Sequence, residues 1–340
     1  MRTRTLEYLC CPVCREHSLH IKDSVLARRD SGDGEIIEGT LACATCNYST
    51  VIVLGVALLV ANYQDYLTRN KGTILQCEHI CMASTAVIEI IRSMPESPYG
   101  AIRSETWETP IGIESYINGQ YGLNAGGSFY RYIVDLVSAT ASKKRSSTGI
   151  LVDLGSNVGG CAARLAPLFQ YSIGVDMSFL ATLEARRINL GAPTKRSFLS
   201  IPVSSTSFVN EVHSMPDVAS LDFIVADAFQ LPILMSSIDL ALMINLIDIV
   251  HSPMHLLEVI CTALADNSRI LVATPYYFRV DRNPPSSWQS LQQVGVGHTL
   301  ARMGMLVTHE SQKEWIIDFY QRYQQHWQCD VVLGVKQRSN

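Results

Sequence analysis

Two sets of residues in this sequence have the type and spacing to do chemistry. The first is Cys11-Pro12-Val13-Cys14 with Cys43-Ala44-Thr45-Cys46, two CxxC pairs separated by 28 residues. Each tight CxxC turn offers two thiolates to one ion. Two such turns complete a closed tetrahedral site that suits structural Zn2+ and leaves no position open for catalysis. The second set is a series of carboxylates placed behind short apolar runs. Asp153 precedes the loop Gly155-Ser156-Asn157-Val158-Gly159-Gly160, Asp176 ends Ile173-Gly174-Val175, Asp227 follows Phe223-Ile224-Val225-Ala226, and Asp248 closes Asn245-Leu246-Ile247. Glycines let the loop turn tightly and let its backbone approach a ligand. A carboxylate just before such a loop would repel a pyrophosphate and suits a cation. One at the end of the next strand can accept both hydroxyls of a ribose.

These residues need a scaffold that brings strand ends together. From Gly149 the sequence alternates short buried strands with helical stretches: Ile150–Val152, Ile173–Val175, Phe223–Val225, Leu240–Ile244 and Ile270–Ala273. Continuous apolar runs alternating with helices predict an α/β fold, a Rossmann-like doubly wound parallel sheet covered on both faces. Near the end the pattern predicts a helix over Glu314–Gln325 and a strand over Asp330–Val335. Residues 1–62 read as a small zinc ribbon, 63–147 as a helical segment capping the substrate pocket, and 148–340 as the ligand-binding domain. Within the middle segment a helix is expected over Ala86–Ile91, with Ser84 as N-cap and a stop at Met94-Pro95. Ser142–Ser147, polar and basic, reads as a loop. Cys77-Glu78-His79-Ile80-Cys81 is a weaker metal candidate, because His79 would leave the helix face shared by the two thiols.

Of 340 residues, 47% are hydrophobic and 17% charged, enough to bury a sizeable core. The net charge of -4 lacks the basic excess that attracts phosphate backbones, which argues against a nucleic-acid partner. The longest apolar run, Val51–Ala61, is too short to span a bilayer of about 20 helical residues. Ten cysteines, four of them in CxxC pairs, suit reduced thiols on a metal, so a cytoplasmic protein is expected.

The order Asp153-x-Gly155-x-x-x-Gly159, Asp176-Met177, Asp227-Ala228 resembles the motifs of class I S-adenosylmethionine-dependent methyltransferases. The resemblance implies S-adenosyl-L-methionine as cofactor. Asp153, Gly155, Ser156, Asn157 and Gly159 would hold its amino acid part, Asp176 and Met177 its ribose, and Asp227 and Ala228 the adenine edge, with Asn245 at the same mouth. Glu105-Thr106-Trp107-Glu108-Thr109-Pro110, Tyr116, Tyr121-Gly122, Asn245–Asp248 and Thr274-Pro275-Tyr276-Tyr277-Phe278 further resemble the methyltransferase domain of ovothiol biosynthesis, which methylates an imidazole ring nitrogen. The chain departs from that family at Phe278, at Asp266-Asn267-Ser268 and at Asp318-Phe319-Tyr320, although Arg322 remains. The cofactor half is thus the better matched. The N-terminal segment, with its tail Val51–Val60 turning at Gly55, resembles the zinc ribbon of the small activating partner of tRNA and release-factor methyltransferases. That likeness implies a structural role, or docking of a protein partner.

The acceptor expected is therefore a small imidazole- or amino-acid-like molecule, with Asp248, Tyr276 and Tyr121 facing it. A carboxylate on the ring N–H would fix the tautomer whose other nitrogen attacks. Two other readings fit parts of the sequence: methylation of a base in rRNA or tRNA, which some zinc-ribbon enzymes perform, and a non-catalytic scaffold that docks a partner.

Overall fold

A computed structural model describes residues 1–27, 34–77, 85–95, 110–122, 126–140, 149–190, 194–197, 209–212, 218–280, 283–320 and 323–338. The stretch Glu105–Thr109, Ser84, the cluster residues Glu78–Cys81, the basic loop Ser142–Ser147 and Arg322 lie outside the described residues.

The chain opens with a 3-10 turn over Thr3–Tyr8 and the first cysteine knuckle, followed by four antiparallel strands: β1 (Leu19–Ala27), β2 (Glu35–Cys43), β3 (Ser49–Val53) and β4 (Val56–Leu59). Leu54 and Gly55, both at positive φ, form the two-residue turn between β3 and β4. Helices α1 (Tyr63–Gln76), α2 (Thr85–Ser93), α3 (Pro110–Tyr121) and α4 (Gly126–Thr140) follow. Asn62 caps α1 by accepting from the Asp65 amide.

The second part is the alternating unit: β5 (Ile150–Leu154), α5 (Gly160–Leu165), β6 (Tyr171–Asp176), α6 (Phe179–Asn189), the small ribbon β7 (Thr194–Ser197) with β8 (Val209–Val212), β9 (Leu221–Ala226), β10 (Ile238–Ile244), α7 (Pro253–Ala263), β11 (Arg269–Thr274), α8 (Gln289–Arg302), β12 (Met305–Tyr320) and β13 (Tyr323–Lys336). The five apolar runs are the five central strands. They lie in the order β9-β6-β5-β10-β11, all parallel, which confirms the doubly wound sheet. Every residue of β5 and β9 is buried, as strands covered on both faces must be. One face packs α7, α8 and the N-terminal module, and the other packs α4 and α5. β13 joins β11 antiparallel and β12 closes that edge.

The terminal helix expected over Glu314–Gln325 is absent. Trp315 and Ile317 are buried while Glu314 is exposed, so the residues alternate with a period of two and continue β12 as far as Tyr320. The partner strand also starts earlier than expected, at Tyr323. Aromatic and β-branched residues favour the strand, and the long hairpin pairs Trp315 directly with Trp327. Among the described residues no helix is long and apolar enough to cross a membrane.

The cysteine module is not a detached lobe. β4 pairs in parallel with β9, with Leu58 opposite Val225 and Leu59 opposite Ala226, so eleven strands form one sheet. Its core side chains Tyr8, Leu9 and Cys11 belong to the same cluster as Ile150, Tyr171 and Ile173 of the central strands. Beneath it, Arg186 pairs with Glu35 and Asp222 in a fully buried cluster.

Candidate functional site

Sheets of this kind leave a crevice at the carboxyl ends of their parallel strands. Here that crevice is a cavity of about 630 Å³. Its floor holds the carboxylates of the sequence pattern, since Asp153, Asp176, Asp227 and Asp248 all line it. Gly155, Ser156, Asn157, Met177, Ala228 and Asn245 line it too.

The glycine loop is tied to the neighbouring strand end. The Gly155 and Ser156 amides both donate to the Val175 carbonyl, and the Asn157 amide donates to Asp176 Oδ2 at 2.8 Å. Asp176 Oδ1 accepts from the Ser178 amide. Gly159 does not line the cavity; it is the left-handed N-cap of α5, at φ +77°. A β-carbon there would lie 2.2 Å from the Phe223 ring. Gly159→Ala is therefore expected to destabilise the fold by about 2–4 kcal/mol through strain and overpacking, read as a lower denaturant midpoint with unchanged slope.

Burial dominates the electrostatics. It pushes the Asp153 carboxyl up to about 7, opposed by the Ala162 amide and reinforced by nearby Asp176. It raises Asp176 as well, against the amides of Ser178, Asn157 and Met177. Asp248 rises to about 6, again from burial, with Thr274 pulling the other way. Carboxylates crowded in one crevice create a site that favours a cation. Among the described residues, three buried polar atoms of the lining have no hydrogen-bond partner: Asn157 Oδ1, Asn245 Nδ2 and Trp327 Nε1. Unpaired buried groups at a cavity wall are what a polar ligand would satisfy. Asn157, Asn245 and Tyr276 also sit at positive φ, at +49°, +53° and +53°. All three follow the ends of central strands, so backbone strain gathers at the cavity.

Two residues expected at the acceptor are placed elsewhere. The Tyr121 hydroxyl donates to the Val158 carbonyl and accepts from Asn189, and the residue is outside the cavity lining. Tyr276 turns away: its hydroxyl donates to Asp330 and accepts from the Val296 amide. The left-handed turn at Tyr276 sends the next side chain, Tyr277, to the cavity instead. The acceptor end is an aromatic wall of Tyr116 and Tyr130 from α3 and α4, Tyr277, and Trp315, Tyr323 and Trp327 from the β12–β13 hairpin. Tyr116 and Tyr277 stand in the stretches that carry the family resemblance but were given no role, and sequence reasoning missed Tyr130, Trp315, Tyr323 and Trp327. The alternation of Trp315 with Ile317, and of Tyr323, Gln325 and Trp327, was the available signal. Asp227 lines the cavity and also caps the following turn, accepting from the Phe229 amide.

Away from the cavity, the four CxxC sulfurs converge. All lie within 4.8 Å of one another, with Cys11 to Cys46 at 3.7 Å and Cys14 to Cys43 at 3.6 Å. A tetrahedron of sulfurs about 2.3 Å from zinc has edges of about 3.8 Å, so the donor set fits the ion. The Val13, Thr45 and Cys46 amides point at these sulfurs, as donors to thiolates do. Cys10 is outside the cluster. Cys77 donates to the Thr73 carbonyl.

No family model matches the sequence, and no curated protein matches it. Solved structures of similar shape include the YcgJ protein from Bacillus subtilis, at 12% identity and a TM-score of 0.42, covering 62% of this chain and 100% of that one. The magnesium protoporphyrin IX methyltransferase of Synechocystis with bound S-adenosylmethionine is 15% identical, with a TM-score of 0.41 and coverage of 68% and 93%. Phosphoethanolamine N-methyltransferase 2 of Haemonchus contortus is 14% identical, with a TM-score of 0.44 and coverage of 69% and 59%. Likeness at this level adds nothing to the chain's own strand order and cavity, on which its function is argued.

Proposed function

We propose that this protein is an S-adenosylmethionine-dependent methyltransferase that N-methylates a small imidazole- or amino-acid-like acceptor. The observation that carries the proposal is the convergence of Asp153, Asp176 and Asp227 on one open cavity at the ends of consecutive parallel strands. Asp153 and the Gly155–Asn157 loop would hold the amino acid part of the cofactor, with Asn157 Oδ1 free to accept from its ammonium. Asp176 would take the ribose hydroxyls, and Asp227 and Ala228 the adenine edge. Bound there, the cofactor supplies a methyl group on a positively charged sulfur. The chain's task is then orientation and exclusion of water.

Asp248 does the first. Thr274 Oγ1 accepts from the Tyr276 amide, so its proton points at Asp248 Oδ1, 3.3 Å away. That leaves Asp248 Oδ2 to accept the acceptor's N–H and to take up positive charge as the opposite nitrogen is alkylated. The aromatic wall does the second, and its faces suit a flat ring. α3, α4 and the β12–β13 hairpin would form the cap over this end. The four cysteines would hold zinc as a structural ion. Among described lining residues Arg279 is the only lysine or arginine, which favours a small acceptor over RNA.

Calorimetric titration with S-adenosylmethionine is expected to show one saturable site, weakened at least tenfold by Asp176→Ala. Labelled cofactor incubated with histidine-like acceptors is expected to add one methyl group in place of a hydrogen, read by mass. No saturable binding by the wild type would refute the enzyme reading; unchanged binding by Asp176→Ala would refute that residue's role.

A further inference from the structure

We infer that the four-cysteine centre fixes the adenine side of the cofactor pocket, with Arg15 as the positioning residue between them; the ligand half of this inference rests on the proposed methyltransferase reading. The segment after β9 begins with Asp227, Ala228 and Phe229, which line the cavity, and continues to Leu234. At its start the Phe229 ring packs on His251 and His255. Apart from the caps within it, the backbone beyond Gln230 is held by the cysteine module. Arg15 Nη1 donates to the Leu231 carbonyl at 2.6 Å. The Cys10 amide donates to the Pro232 carbonyl at 3.0 Å, the Leu234 amide donates to the Tyr8 carbonyl at 2.9 Å, and Leu9 bridges to Ile233. These contacts come from the residues that enter and leave the first knuckle.

Arg15 is where the metal cluster and the segment meet. It follows Cys14 directly, sits at φ +66°, and its amide donates to the Cys11 carbonyl at 2.9 Å. The turn that gives Arg15 its direction is thus the turn that brings Cys11 and Cys14 to one ion. The second knuckle acts on the same place by another route. The Cys43 amide donates to the Tyr48 carbonyl, the Tyr48 hydroxyl donates to the Val60 carbonyl at 3.0 Å, and β4 pairs through Leu59 with Ala226, a cavity-lining residue. Both knuckles therefore brace the strand end and loop that carry Asp227. An ion that closes the cluster would tighten both braces at once, because metal binding and local folding are one equilibrium.

The test uses the zinc-loaded full chain, an Arg15→Met variant that keeps all four thiols, and an Arg15→Lys variant. In Arg15→Met, one zinc per chain is expected to remain, while amide hydrogen exchange across residues 229–234 rises and S-adenosylhomocysteine binds about five- to tenfold more weakly. Turnover at saturating cofactor should stay within about twofold, a split that general destabilisation would not give. Arg15→Lys should recover part of the affinity. Stripping zinc with a chelator should produce larger changes at the same amides. If exchange at 229–234 and affinity are both unchanged in Arg15→Met, the inference is overturned, and likewise if affinity survives zinc removal in a folded chain. Should the zinc-loaded wild type bind no S-adenosylhomocysteine, the methyltransferase reading falls and the exchange measurement alone decides the inference.

Discussion

Asp153→Asn is expected to lower affinity for S-adenosylmethionine at least a hundredfold while raising the thermal stability of the unliganded protein at pH 7.5. Both effects follow from one buried carboxyl. Desolvation lifts it from its ordinary value of 3.8 to about 7, and Asp176 adds to the rise. The folded state therefore prefers the protonated acid. Stability from this group is full below about pH 4, where both states are protonated, and is lost as pH rises through about 7. A shift of about three units corresponds to a loss on the order of 4 kcal/mol at most. An uncharged amide removes it and should raise the melting midpoint by about 3–6 °C. The same amide removes the charge that would meet a cationic ligand. In the wild type, affinity should climb as pH passes 7, with proton release on binding, and in Asp153→Asn it should be flat. Titration in two buffers of different ionisation enthalpy measures the released proton. A variant that binds as tightly as wild type would show that Asp153 does not face the cofactor's cation.

How much of this was legible in the sequence depends on how local the signal is. The central strands were legible because a strand buried on both faces reads as a short, largely apolar run, and five such runs alternate with helical stretches across residues 149–274. The carboxylates were legible because each ends such a run, and strand ends in a parallel sheet share one crevice. The cysteines were legible by spacing alone. The acceptor wall was not, for two physical reasons. Whether Tyr276 or Tyr277 enters the cavity depends on one left-handed backbone angle after Pro275, which no local pattern marks at a tyrosine. Trp315 and Trp327 are twelve positions apart in sequence on either side of a hairpin tip, and they meet only because β12 and β13 pair. Reading Glu314–Gln325 as a helix removed that pairing and with it the wall. The merging of β4 with β9 was likewise invisible, since it joins residues more than 160 positions apart.

The role proposed for Asp248 can be tested sharply. Asp248→Asn is expected to slow methyl transfer by about a hundred- to a thousandfold, with cofactor affinity changed by less than about threefold, because the side chain stands at the acceptor end and not at the glycine loop. Its carboxyl is buried and lifted to about 6. Below that pH it is protonated and cannot accept the acceptor's N–H, so kcat/KM in the wild type should fall on the acid side with an inflection near 6. The variant should lose that limb. Thr274→Val supplies an independent check. It removes the hydroxyl whose proton is directed at Asp248 Oδ1, a bond that favours the ionised form. The acid limb should therefore move to higher pH, with turnover at pH 8 reduced only about three- to tenfold. A role for Asp248 in helix start or packing alone predicts something else: lower stability in both variants and an acid limb that stays where it was. The pH profile, more than the size of the rate loss, separates a carboxylate that meets the acceptor from one that only holds the strand end in shape.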